Sequence, residues 1–388
     1  MRGRSMENAS ADNAADVIIV GGGLMGASAA FFLRKRGRSV ILLERGLIGQ
    51  QASGTNFGNV RRQGRYLTQL PLAHRSREIW SRLPELIGED CEFVPSGHLR
   101  VCFTQEQAGR LENYAHDAKA YGLELEILSA NALRSRFPYV GHEAIAGSYA
   151  PLDGHANPRL TAPAFGRAAR REGASVEENA EVLSIGKVGE DFHVETRDRG
   201  TFRAPTILVT SGAWAGAMSS RFGEPVPLVA RGPQMGVTEP LPYRIAPVLG
   251  VSSPLDLETV YLRQVTRGNI VFGGGNRGPV DLEACRAYVD PENTLNQMPQ
   301  LRRLLPGIAA VRIIRVWSGV ESYLPDDLPI MGPSEKVSGL FYAFGFCGAG
   351  FQVGPAVGDV MAELIDTGRT SLPIDAYRIG RFAQQKAA

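Results

Sequence analysis

The sharpest alternation of apolar and polar positions lies near the start of the chain. An apolar run at 16–20 is followed by three glycines and an amphipathic stretch from about 24 to 36, which Gly37 closes. A second apolar run then covers 39–43. Short apolar runs bounded by turn residues predict buried strands, and the periodicity between them predicts a helix. A polar loop spans 46–64, and helical patterns recur at 75–83 and 157–170. Residues 182–196 alternate as a hairpin and 206–210 are an apolar strand. Strands are also expected at 259–264 and 269–273, inside a strand-rich stretch from about 225 to 307. The last strand, 340–344, leads through glycines into a helix expected from Pro355 to Thr367. The predicted organisation is a cofactor domain in three segments (16–84, 146–224 and 308–388). A second, substrate-binding domain (85–145 and 225–307) is threaded through it twice, and 1–15 are a polar, disordered leader.

Composition narrows the class without naming it. A chain of 388 residues exceeds one ordinary core. A net charge of +2 gives no ground for nucleic-acid binding or electrostatic membrane attachment. Cys91, Cys102, Cys285 and Cys347 have neither metal-ligand spacing nor a paired pattern, which reads as reduced thiols of a cytoplasmic protein. The six histidines show no metal-binding spacing, so no metal is expected. The uncharged stretches 17–33 and 341–358 are interrupted by glycines, whereas a membrane span needs ~20 mainly apolar residues.

The chemistry-bearing motif is Gly21-Gly-Gly23-Leu24-Met25-Gly26 between the first strand and its helix, with Glu44 ending the second strand. Strand, glycine turn, helix and terminal acid together specify a dinucleotide site. Gly21 permits the tight turn, Gly23 lets the backbone approach a pyrophosphate at the helix N-terminus, and Gly26 allows close strand–helix packing. A carboxylate at 44 accepts ribose hydroxyls and repels a 2′-phosphate, which disfavours NADP. FAD and NAD remain open on this motif alone. A second glycine-rich turn, Phe344-Gly345-Phe-Cys-Gly348-Ala-Gly350-Phe351-Gln352, favours the longer FAD, which needs close backbone approach at two places.

With these pieces in view the chain resembles the D-amino acid oxidase superfamily of flavoproteins, from Asp16 to about Asp366. The likeness is carried by the fingerprint, Gln51-Ala-Ser53-Gly54-Thr-Asn56, Asp153-Gly-His-Ala-Asn-Pro158, Ser211-Gly212-Ala-Trp214 and Trp317-Ser-Gly319-Val-Glu321. Pro325-Asp-Asp-Leu-Pro329-Ile-Met-Gly332 and the second glycine turn complete it. Gly58-Asn-Val-Arg61-Arg62-Gln-Gly-Arg65 and Ala73-His-Arg-Ser-Arg-Glu-Ile-Trp80 extend it to the sarcosine oxidase and opine or hydroxyproline oxidase β-subunit branch. The resemblance implies an α/β chain of two domains: a Rossmann-like FAD-binding domain of glutathione-reductase type with an inserted antiparallel-sheet substrate domain. It implies FAD contacts at Gly21, Gly23, Leu24, Met25, Gly26, Glu44, Arg45, Ser53, Gly54, Asn56, Val182, Ser211, Gly212, Trp214, Gly319, Gly348, Gly350, Phe351 and Gln352. It implies oxidation of an amine C–N bond by hydride transfer to flavin N5, leaving an imine that hydrolyses.

Departures from the relatives shape the expected site. No cysteine stands near Gly319, so FAD is expected to be non-covalent; no histidine stands at Pro158, where the resemblance would place a covalent FMN, so none is expected, with His155 structural. Glu321 stands where glycine oxidase grips a carboxylate with arginine, so it either favours a cationic or N-substituted group or turns to solvent or a partner. The anchor is then expected to be Arg62, with Arg61 as the alternative, because a guanidinium fork binds a carboxylate with two hydrogen bonds. Tyr261 and Arg263 share a face by strand alternation and are expected at the substrate. Phe272 falls near an oxygen-activating lysine of sarcosine oxidase, which favours a dehydrogenase over an oxidase. The acceptors considered are oxygen, a quinone and a partner subunit. The alternatives are a β-type subunit of a hetero-oligomer with little activity alone, a flavin-bearing assembly protein, and an NAD-linked dehydrogenase.

Overall fold

The computed structural model describes residues 13–242 and 244–386. Most of the expected leader, 1–12, lies outside the described residues. Its last part is ordered, because the amide of Ala15 donates to the carbonyl of Arg203 and the amide of Arg203 to the carbonyl of Asn13.

Six strands form the central sheet, in the order Ile330–Pro333, Leu340–Phe344, Thr206–Val209, Val17–Val20, Val40–Leu43 and Ser175–Glu177. All pair in parallel except the edge strand Ile330–Pro333. Every residue of Val17–Val20 is buried, as a strand covered on both faces must be. Its side chains alternate between two cores. Val17 and Ile19 join the helices Leu24–Lys35, Leu70–Ser81, Pro158–Arg171 and Gly350–Thr367. Ile18 and Val20 face Phe192, Val194 and Phe202 of the three-stranded meander Val182–Val188, Asp191–Thr196, Thr201–Ala204. The first and last helices meet closely because one lacks side chains: a Cβ at Gly358 would lie 2.6 Å from the amide nitrogen of Ala29. That last helix begins at Gly350, five residues before the expected start, with Pro355 inside it. Phe351–Gly354 are buried, and Phe351 packs 5.1 Å from Trp80, so tertiary packing offsets the hydrogen bond that proline cannot donate.

The second domain is an eight-stranded sheet in the order Ile313–Ser318, Gln234–Pro240, Asn269–Gly274, Val260–Gln264, Val248–Val251, His98–Cys102, Ala146–Ala150, Glu126–Ser129. It is antiparallel except where Val248–Val251 runs parallel to His98–Cys102. Ala146–Ala150 and Ile313–Ser318 lie in this sheet, so the boundaries expected at 145 and 307 fall short of its edges. Sequence neighbours do not reveal which sheet supplies a strand's hydrogen bonds. A helix absent from the sequence reading, Pro291–Leu304, buries Leu301 and Leu304 beneath the sheet. Its start is encoded locally: Asp290 accepts the amide of Glu292 at 3.0 Å and Pro291 occupies the first turn.

Candidate active site

One cavity of about 580 Å³ runs from the central sheet to the eight-stranded sheet. At its first end the strand Val17–Val20 hands over to the helix Leu24–Lys35 through the glycine turn. Gly21 has φ +112°, and a Cβ there would lie 2.7 Å from the Thr210 carbonyl oxygen, so only glycine fits. A Cβ at Gly26 would lie 2.0 Å from the carbonyl oxygen of Gly21, which is the close packing expected of it; Gly26 itself stays behind the cavity wall. No side chain caps this helix at Gly23, and Ser53 accepts the amide of Leu24 at 2.8 Å. Glu44 is held by two backbone amides, Gly22 at 2.6 Å and Gly46 at 2.8 Å. An ionised carboxylate has about four acceptor sites, so both oxygens retain capacity toward hydroxyls. Arg45 stacks 4.4 Å over the Trp214 ring, and Val182, Ser211 and Gly212 complete this end. A glycine-lined cradle, a helix start whose N-cap residue is a glycine and an acid beyond it fit an adenosine pyrophosphate.

The middle is walled by Asn56 and by the second glycine turn. Gly345 and Gly348 have φ +73° and +75°, and a Cβ at Gly350 would press 2.8 Å against the Met25 methyl. Met25, Gly348, Gly350 and Phe351 all line the cavity. Besides Gly26, three expected contacts do not. A Cβ at Gly54 would lie 2.3 Å from the Gly49 carbonyl oxygen and one at Gly319 would lie 1.9 Å from Thr55 Oγ1, so these glycines serve chain packing. Gln352 is fully buried and donates to the Ala73 carbonyl at 2.9 Å, tying the last helix to Leu70–Ser81.

The far end differs from the expectation in its arginines. Arg62 is not in the cavity wall. Its Nε meets Asp153 at 2.9 Å, its amide donates to the same carboxylate at 2.8 Å, and its Nη1 lies 3.3 Å from His74. Arg61 lines the cavity, together with Arg65. The reason is the short strand Asn59–Val60: alternation sends Val60 into the core and Asn59 to the cavity, and the residues that follow continue that order. Arg263 is also withdrawn. It is buried, donating to the Phe57 carbonyl at 2.7 Å and approaching His155 Nδ1 at 3.4 Å, so it shapes the loop under the cavity. Burial, and then the charge of Arg263, pushes His155 down to about 3, so it stays neutral.

Tyr261 does line the cavity, its ring edge-on to Phe57 at 4.7 Å, with burial pushing its phenol up to about 12. Glu321 lines it as well. Its Oε2 accepts Tyr323 Oη at 2.8 Å and lies 3.7 Å from where a Gly348 Cβ would stand. Burial raises its pKa above the ordinary carboxylate range, although Tyr323 and Arg277 pull the other way. Arg277 lies 4.6 Å over the Tyr323 ring and 3.4 Å from Asp256. Phe57, Asn59, Met235, Arg277, Tyr323 and Phe346 are wall residues that the sequence reading missed; a lone aromatic or arginine carries no local signal of where it points. Phe272 pairs with Leu262 and is fully buried on the face opposite Tyr261, so the absence of lysine there says nothing about oxygen.

Residues 16–364 match the family model described as FAD dependent oxidoreductase (DAO). The chain is 28% identical to glycine oxidase of Geobacillus kaustophilus, over 94% of this chain and 97% of that protein. It is 29% identical to the mitochondrial sarcosine dehydrogenase of Homo sapiens, over 95% of this chain but 41% of that longer protein. Among solved structures, L-proline dehydrogenase from P. horikoshii superposes with a TM-score of 0.89 at 26% identity, covering 96% and 99% of the two chains. With its cradle, its two glycine turns and this likeness along nearly its whole length, the chain belongs to the DAO family of FAD dependent oxidoreductases and is an enzyme of amines or amino acids that uses FAD.

Proposed function

We propose that this enzyme oxidises the C–N bond of an N-substituted amino acid, with its carboxylate on Arg61 and its nitrogen facing Glu321. The observation that carries the reading is the polarity of the far end. Arg61, Tyr261 and Glu321 line the same cavity, and the Tyr261 phenol feels the charge of Glu321 and, against it, those of Arg277 and Arg61. A carboxylate on the guanidinium fork and a cationic nitrogen beside a carboxyl would hold the two ends of an amino acid in this cavity. FAD, when bound, supplies the two-electron oxidant. An ammonium cannot give up a hydride, so a proton must leave first. Glu321 Oε1 is the acceptor offered, its pKa raised toward that of a competent base. Phe57, Phe346 and Phe351 exclude water, which strengthens both charge contacts.

Cys347 lines the cavity, but burial pushes its thiol up to about 12, and it accepts the Leu324 amide at 3.2 Å. A protonated thiol is a poor nucleophile, which supports non-covalent FAD. Among the described residues no lysine lines the cavity, which supports a quinone or partner subunit as acceptor in place of oxygen. The resemblance to oxidase β-subunits supports a hetero-oligomer. No helix among the described residues is long and apolar enough to cross a membrane, and the cysteines are free, which supports a reducing, cytoplasmic setting. The test is anaerobic mixing of the yellow protein with D- and L-amino acids, N-methyl glycines, hydroxyproline and opines. Bleaching by N-substituted amino acids is expected; bleaching by none of the panel overturns the reading. Slow recovery of colour in air supports the dehydrogenase assignment.

A further inference from the structure

Arg61 opens a tight turn that ends at Arg65, and the turn is braced from the eight-stranded sheet behind it. The amide of Arg65 donates to the Arg62 carbonyl at 3.3 Å, and Gly64 has φ +70°. A Cβ at Gly64 would collide with Nη1 of Arg100, on the strand His98–Cys102, and lie 3.0 Å from Arg61 Nη1, so two guanidinium groups crowd one point. Asp153 accepts the amides of Arg62 at 2.8 Å and Gln63 at 3.2 Å. Arg65 Nε donates to the Arg61 carbonyl at 3.2 Å, and the Arg61 side chain donates to the Gln63 carbonyl. The direction of the Arg61 guanidinium therefore depends on where Gln63 is held.

Gln63 is fully buried and is held by its carboxamide. Its Nε2 donates to the His98 carbonyl at 2.6 Å and its Oε1 accepts Ser148 Oγ at 2.8 Å. A carbonyl oxygen only accepts, which fixes the end that carries the hydrogens. The same Nε2 lies 2.7 Å from His98 Nδ1. An amide nitrogen does not accept, so Nδ1 is the bare ring nitrogen and Nε2 bears the proton. The ring is neutral, because burial, and then the charges of Arg61, Arg100 and Arg65, hold it well below the usual histidine range. On the other side, His98 Nε2 lies 3.5 Å from Asn59 Nδ2, while Asn59 Oδ1 is buried with no hydrogen-bond partner among the described residues. Two nitrogens that both carry hydrogens do not bond. A half-turn of the Asn59 carboxamide answers both observations by placing Oδ1 on the ring N–H. Asn59 and Arg61 both line the cavity; His98 does not.

Resting on the amine-oxidising reading above, we propose that His98 is a positioning residue for the substrate: it fixes Arg61 through Gln63, and Asn59 directly, and so sets the part of the cavity wall that receives the carboxylate. Its place among three guanidinium groups suits it to this task. A protonated ring would turn a second donor onto the Gln63 amide and break that contact. The neutral ring offers one acceptor and one donor, and each meets a residue that leads to the wall. A buried network in which each member is satisfied holds the guanidinium fork in one geometry, so less freedom is lost when a carboxylate binds it.

The experiment uses the FAD-loaded enzyme. The Kd of (methylthio)acetate, an unreactive carboxylate, is read from flavin absorbance, and the rate of anaerobic bleaching is followed against N-methylglycine concentration. His98→Phe removes both ring contacts and is expected to raise that Kd about tenfold, the effect of losing a buried hydrogen bond. The N-methylglycine concentration for half-maximal rate should rise with it, while the limiting rate changes less than about threefold and FAD is retained. His98→Asn, whose carboxamide oxygen stands in for Nδ1, is expected to restore part of the affinity. An unchanged Kd in His98→Phe overturns the proposal, and so does a loss of FAD or of limiting rate with Kd intact. Nitrogen NMR of the histidine rings in the unmodified holoenzyme needs no variant to fold: a neutral Nε2–H ring is expected at His98, and a protonated ring or the Nδ1–H tautomer overturns the proposal. If the panel of amino acids fails to bleach the flavin while His98→Phe still weakens (methylthio)acetate, amine oxidation falls and the positioning role stands. If (methylthio)acetate does not bind the unmodified enzyme, both fall.

Discussion

The two ends of the cavity are built by different means. At the adenosine end the groups that matter are backbone amides and missing side chains, contributed by one strand–turn–helix–strand run, with Glu44 fixed by Gly22 and Gly46 from the same run. At the far end the wall is made of side chains from several elements: Arg61 beyond Asn59–Val60, Tyr261 on Val260–Gln264, Glu321 on Glu321–Tyr323. The first end is generic for any ligand with a ribose and pyrophosphate. The second is a convergence of charged and aromatic side chains, which on the proposed reading sets which amine is accepted. Cofactor use and substrate choice can therefore vary independently on one scaffold.

The comparison predicts opposite failures. Gly26→Val should have the largest effect, because its side chain would be driven into the Gly21 carbonyl: the purified protein should be colourless, as flavin absorbance checks. Glu321→Gln should keep the yellow colour and lower kcat/KM about 100-fold or more, within the range for loss of a general base. Its pH profile sharpens the test. Because burial raises the Glu321 pKa, the carboxyl stays protonated and inactive as a base somewhat above the ordinary carboxylate range. Activity should rise as pH climbs through the raised value, and Glu321→Gln should erase that acid limb. Arg61→Ala should cost about 30-fold in kcat/KM, or roughly 2 kcal/mol of lost charge-assisted binding, mostly in KM. Arg62→Ala should change kcat/KM less than about tenfold, yet lower Tm, because it leaves Asp153 buried without its ion pair. A colourless Glu321→Gln, or an Arg62→Ala more damaging to turnover than Arg61→Ala, would break the division between the two ends.

The contrast also explains what could be read in advance. Gly21, Gly23, Gly26 and Glu44 were recognisable because the chain itself brings them together within one short unit, where each glycine answers a local steric demand. Arg62 was expected at the cavity with Arg61 as the alternative, and it is Arg61 that lines it: adjacent arginines look alike until a strand's inward face is known, and Val60 in the core decides that face. Arg263 shares a strand face with Tyr261 as expected, but its length carries the guanidinium past the cavity to the Phe57 carbonyl. Gly319 and Gly54 were read as cofactor contacts because a required glycine looks the same whether a ligand or its own chain approaches it.

The sequence by itself determined the dinucleotide fold, the order of its strands and helices near the N-terminus, and the preference for a long cofactor held at two glycine turns. These follow from apolar periodicity and backbone sterics, which act over a few residues. Only the tertiary structure decided which strands joined the eight-stranded sheet, which arginine faces the cavity, and that Arg61 and Arg100 crowd together at Gly64. Those outcomes depend on hydrogen-bond pairing and side-chain direction between segments far apart in the chain, where no local rule constrains the geometry.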